Sequence, residues 1–102
     1  MTLLKLEHGF SFAIEPYEKR VRLIVYKDSV ENVCRRESFK NLGRFILSDD
    51  EKLFKGRLQL YNNSEEIVIE VKGEIAGKMT IEDFTSYLEK VKNASNKLTD
   101  QK

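Results

Sequence analysis

The sequence predicts an α+β domain: a mainly antiparallel sheet of four to six strands with one C-terminal helix packed on one face. Three observations predict it. Several segments alternate apolar and polar residues with the period of half-buried strands. A turn-rich tetrapeptide, Asn62-Asn63-Ser64-Glu65, joins two of them. Residues 80–91 then switch to the 3.6-residue period of an amphipathic helix.

Phe10, Phe12 and Ile14 alternate with Ser11 and Ala13, giving a first strand. Pro16 is expected to stop it, with a turn over residues 15–19. Val21, Leu23 and Val25 alternate with Arg20, Arg22, Ile24 and Tyr26 in a second strand rich in β-branched and aromatic types. Residues 28–42 stay open. Val30, Val33 and Cys34 have helical spacing, Asp28 with Glu31 fits a capping box and Gly43 fits a helix stop, yet Glu37 and Ser38 break the stripe. A twisted strand or a long loop suits that stretch equally well. Residues 44–47 read as a short strand and residues 48–54 as a short capped helix.

Residues 57–61 and 66–72 form the strongest hairpin. Residues 73–79 read as a loop or an irregular edge strand. Thr80 is the N-cap candidate of the last helix, and Glu82 and Asp83 suit its positive start. Ile81, Phe84, Leu88 and Val91 share one face of it. Residues 1–98 are expected to form one small domain, followed by a frayed polar tail over 99–102. If the uncertain segments are also strands, the sheet must curl toward a barrel or pair with a second copy.

Period two sorts the side chains. Val21, Leu23, Val25, Leu58, Leu60, Ile67, Ile69 and Val71 are expected to face the helix. The opposite face then carries Arg20, Arg22, Ile24, Tyr26, Arg57, Gln59, Tyr61, Glu66, Val68, Glu70 and Lys72, with Arg44 and Ile46 as additions. That face is the candidate binding surface.

The chain has 102 residues, 18 Lys plus Arg against 17 Asp plus Glu, and a net charge of +1. Such a balance excludes a disordered tail and a protein whose binding follows from charge alone. All six arginines precede residue 58, and residues 1–57 carry net +3 against −2 for the remainder. Cys34 is the one cysteine, so no internal disulfide and no thiolate zinc site is expected. No apolar run reaches the ~18 residues of a membrane span, and the reading is a soluble, cytoplasmic protein with no membrane partner.

No residue set points to catalysis. His8 is the only histidine, so a triad or mononuclear metal site lacks partners, and Cys34 lacks an activating base. Asp49, Asp50 and Glu51 lack the alternating spacing of a calcium loop. Gly73 to Thr80 carries glycine, lysine and threonine before a helix, but without phosphate-loop spacing. No catalytic, cofactor-binding or metal-ligating residue is assigned, and no cofactor is expected.

The primary expectation is therefore a non-enzymatic interaction module that binds a protein partner, or itself, through the sheet face or an edge strand. Exposed Ile24, Ile46 and Val68 motivate it. The alternative is a single-stranded DNA or RNA binder, with arginines holding phosphates and Tyr26 and Tyr61 stacking bases. Four strands before one helix resembles the small single-stranded-DNA-binding transcription cofactors, in element order alone. A small enzyme using carboxylates, Tyr or Lys is the minor third reading.

Overall fold

The computed structural model describes residues 3–54 and 56–100, with side chains through residue 94. Chain order is β1 (Leu4–Lys5), β2 (Phe10–Tyr17), β3 (Arg20–Lys27), β4 (Val30–Glu37), α1 (Phe39–Ile46), β5 (Glu51–Leu53), β6 (Leu58–Asn62), β7 (Glu66–Val71), β8 (Glu74–Thr80) and α2 (Ile81–Asp100). The strands form two antiparallel four-stranded sheets, ordered β1-β2-β3-β4 and β5-β6-β7-β8. The α+β class and the packed C-terminal helix stand as expected; the strands divide between two sheets. Width explains the division. Eight strands in one sheet would measure about 34 Å, more than a twenty-residue helix of about 30 Å covers.

The inward set holds. Val21, Leu23, Val25, Leu58, Leu60, Ile67, Ile69 and Val71 are all buried. With Phe12, Ile14, Leu42, Phe45, Phe84 and Leu88 they belong to one core shared by both sheets and both helices. Phe12 of β2 stacks on Phe84 of α2 at 6.4 Å and meets Tyr87 edge-on. Phe45 of α1 meets Phe84 edge-on at 6.5 Å. The terminal helix thus packs chiefly on β2, in the sheet it does not follow in sequence.

The same order, four strands and a helix, occurs twice. In each half a two-residue turn with both residues at positive φ, Asp28-Ser29 and Lys72-Gly73, joins the third strand to the fourth. These are the twisted turns that hairpins favour. In each half that hairpin carries a register shift, at Val25/Tyr26 and at Ile69/Glu70. In each half the fourth strand runs into a helix whose N-cap hydroxyl accepts an N–H from the third helical residue. Ser38 accepts from Asn41 at 3.1 Å and Thr80 from Asp83 at 3.0 Å.

Three local expectations are corrected. β2 continues through Pro16 to Tyr17, because β1 pairs only with Ser11 and Phe12 and the proline costs no ladder bond on that side. Residues 44–47 are no strand: α1 takes in Gly43 and Arg44 and buries Leu42 and Phe45, while Leu47 caps its end. Residues 48–54 are no helix; Glu51–Leu53 pair with Leu60–Asn62. Of the two readings of residues 73–79, the edge strand holds: Glu74–Thr80 pair with β7 at the sheet edge, with one register shift. The open stretch 28–42 resolves into a turn, β4 and the first half of α1. Of the expected frayed tail, residues 99 and 100 extend α2, and 101–102 lie outside the described residues.

Tyr87 ties α2 to β2. Its hydroxyl oxygen accepts the Ile14 N–H at 3.0 Å, on the edge of β2 that β1 does not reach. Burial pushes its phenol above the ordinary value of 10.0, the bond from Ile14 pulls it back, and the charge of Glu15 adds to the rise. A phenol with a higher pKa folded than unfolded gives its full stabilisation below pH 10 and loses it as pH climbs through the folded value. Tyr87→Phe strands the Ile14 N–H and should cost about 1–2 kcal/mol at pH 8. The gap between wild type and variant should narrow by pH 11. Urea unfolding at both pH values checks this, and a constant gap contradicts it.

Candidate functional site

The candidate face predicted from alternation is not continuous. Arg20, Arg22, Ile24 and Tyr26 lie along the outer side of β3, in the first sheet. Gln59 and Tyr61 lie on the outer side of β6, in the second, with Arg57 just before that strand. Arg44 sits in the last turn of α1. Eight residues expected on one surface are spread over three elements.

Several of them are also engaged. The Arg22 guanidinium meets Glu15 at 3.5 Å and Glu31 at 2.7 Å. Glu15 and Glu31 flank the row Ala13–Ile24–Cys34, so Arg22 crosses that row to reach Glu31. Ile24, expected to be exposed, is 0% accessible; burial beneath outer-face side chains corrects that expectation. Ile46 and Val68 are half-buried. The Tyr61 hydroxyl donates to Asp50. Arg36, outside the predicted set, lies over the Tyr17 ring at 4.5 Å.

The sheet edges are more informative. A free edge offers a row of N–H and C=O groups to another chain, and natural proteins blunt such rows. The two sheets have four edges, β1, β4, β5 and β8. β1 has two residues and β5 three. β8 is crossed by the segment after β1, where the Glu7 N–H donates to the Ala76 carbonyl at 2.9 Å. Gly77 permits that crossing, since a Cβ there would lie 2.8 Å from Leu6 Cβ.

β4 is blunted in none of these ways. It is eight residues long and pairs only with β3. Among the described residues, no backbone hydrogen bond leaves its far edge. The Asp28-Ser29 turn is closed by Lys27 and Val30, which fixes which β4 residues bond to β3. Beyond the register shift, Val33, Arg35 and Glu37 turn their backbone groups toward β3, and Cys34 and Arg36 turn theirs outward. Val33 alone on this strand is buried; Val30 is 69% accessible and Cys34 is exposed.

A groove of about 380 Å³ runs along that edge, with Glu31–Arg35 on one side and Gly56–Leu58 on the other. Arg35 and Arg57 stand in it. The Arg35 guanidinium lies over the Phe54 ring at 4.7 Å. Its Nη1 reaches to 3.0 Å from where a Cβ on Gly56 would sit. Lys72 donates to Oδ1 of Asn32, one of the groove's lining residues, at 2.8 Å. Among the described residues, no carboxylate stands within 4.0 Å of Arg35, Arg57 or Lys72.

Sequence reasoning placed Arg57 on the candidate face but missed Arg35, Asn32 and the β4 edge. An edge strand with one buried residue has no alternation to read. The visible signal was Asp28-Ser29 as a hairpin turn, ten residues before a serine able to cap a helix. No group of three or more His, Cys, Asp or Glu side chains able to hold a metal occurs among the described residues, and none of their helices is long and apolar enough to cross a membrane. No protein-family model, no curated protein and no solved structure matches the chain.

Proposed function

We propose that the chain is a non-enzymatic interaction module that takes up an extended protein segment as an added strand on β4. One observation carries the reading: of the four sheet edges, β4 alone is long, uncovered and bordered by a groove. Strand addition gives affinity through main-chain hydrogen bonds, and side-chain pockets give selectivity. The five residues Glu31–Arg35 offer about 16 Å of strand. The wall built by Gly56–Leu58 suits a lone strand better than the edge of a second sheet.

A second reading has its own support. The outer face of the first sheet brings together Lys5, Arg20, Arg22 and Arg36 with Tyr17 and Tyr26, against the two carboxylates of Glu15 and Glu31. The order of four strands and a helix, noted above for single-stranded-DNA-binding cofactors, occurs twice. Tyrosines beside arginines suit stacked bases and phosphates.

Amide shifts of the labelled protein separate the two. Ten-residue peptides alternating Val and Thr should perturb and protect amides 30–37. Cys34→Pro removes an outward N–H and leaves the β3 ladder intact, so it should abolish the effect without lowering the melting temperature by more than a few degrees, whereas Cys34→Ser should preserve it. A concentration-dependent dimer lost in Cys34→Pro would make a second copy the partner. Silence on β4, with shifts around Tyr17 and Tyr26 on adding oligothymidylate that vanish at high salt, would transfer the function to nucleic acid.

A further inference from the structure

We infer that the segment received on β4 is an acidic peptide, with carboxylate side chains that meet Arg35 and Arg57 across the groove. This rests on the edge reading above and adds the chemistry of the partner.

The electrostatics of the groove are one-sided. Arg35 and Arg57 line it, and Lys72 bonds to Asn32 in its lining. The one carboxylate in its lining, Glu31, is held by Arg22 at 2.7 Å. Arg35 is also positioned before any ligand arrives. Its guanidinium is held over Phe54 at 4.7 Å and close against Gly56, so little rotamer freedom is lost when it takes a carboxylate. Arginine binds carboxylates through two parallel N–H donors, which a planar guanidinium held in one place presents without further ordering.

Two features favour a peptide over a nucleic acid strand in this groove. The outward edge at Cys34 and Arg36 offers both N–H donors and C=O acceptors, and a peptide backbone answers both. A phosphodiester offers acceptors only, which leaves the carbonyls unmatched. The aromatic ring beside the groove, Phe54, is already covered by Arg35, and no bare ring lines it for base stacking.

The test is titration calorimetry of the full chain with three ten-residue Val/Thr peptides, in which alternate positions on one side are Glu, Gln or Lys. The Glu peptide should bind about tenfold or more tightly than the Gln peptide and lose that advantage between low and high salt. Arg35→Glu/Arg57→Glu should invert the order, so that the Lys peptide binds best. Arg57→Glu alone should erase most of the preference while leaving the Arg35–Phe54 contact in place, and covers the case in which the double variant fails to fold. Equal binding of all three peptides, still abolished by Cys34→Pro, would overturn the acidic assignment and spare the edge reading. No perturbation of β4 by any peptide would overturn both. Displacement of the Glu peptide by oligothymidylate, lost in Arg57→Glu, would overturn the peptide assignment.

Discussion

Replacing Asn62 by alanine should destabilise the domain by about 3–4 kcal/mol, a large share of the roughly 5–15 kcal/mol that holds a domain folded. Asn62 is fully buried at the end of β6. Its side-chain nitrogen donates to the carbonyls of Phe45, Ile46 and Ser48 at 3.0, 3.2 and 2.9 Å. Its oxygen accepts the Ser64 N–H at 2.8 Å. One amide thus closes the C-terminal end of α1 and the β6–β7 turn together. The final carbonyls of a helix have no partner within it. The Phe45 carbonyl keeps its bonds from Ser48, but those of Ile46 and Ser48 lose a donor in the variant. Asn62→Asp keeps the shape and reverses the polarity, setting a carboxylate against carbonyls in a buried site. Burial raises the pKa of such a carboxyl, so this variant should lose stability as pH rises above about 4. Urea unfolding of both variants reads the effect, and a loss under 1 kcal/mol for Asn62→Ala would show that α1 does not depend on this clasp.

Gly77→Ala should cost about 2–3 kcal/mol by overpacking, and Gly77→Val more. The added carbon would lie 2.8 Å from Leu6 Cβ and 3.0 Å from Leu6 Cδ2. A Cβ cannot swing aside as the tip of a side chain can. The backbone around it is fixed, since the Leu6 N–H donates to Phe10 at 2.8 Å and the Glu7 N–H to Ala76. Relief requires the 6–7 segment to lift off β8. That would bare an edge strand carrying Ile75, already 55% accessible, and turn a guarded edge into a pairing surface. The expected readouts are a lower urea midpoint, faster exchange of the Glu7 amide and concentration-dependent aggregation. Leu6→Gly with Gly77→Ala should cost less than the sum of the single changes. Strict additivity would place the damage elsewhere.

Much of this architecture was legible because most strands bury one face against a shared core. Phe10 to Ile14, Arg20 to Tyr26, Arg57 to Tyr61 and Glu66 to Val71 alternate for that reason, and every residue in the expected inward set is buried. Ile81 to Val91 kept its helical period because one stripe meets Phe12 and Phe45. β4 was illegible for the opposite reason: an edge strand with only Val33 buried shows no period, and Asp28 with Glu31 imitates a capping box. α1 escaped notice because Gly43, read as a stop, lies inside it. A Cβ at Gly43 would meet nothing within 4 Å, so no packing announces the residue as helical. The groove was beyond reach because Arg35 and Arg57 belong to different sheets, and only tertiary folding sets them face to face. The doubled order of elements shows in turns, caps and register shifts, not in repeated residues.

The crossing of α2 onto β2 bears on how the molecule is made. On the ribosome, Phe12 and Ile14 emerge some seventy residues before Phe84 and Tyr87, and nothing synthesised in between supplies the rings and hydroxyl that cover them. Neither half is complete without the other, so a nascent chain cut at the midpoint has no finished core to fall back on. The fold is sealed from its last helix backward.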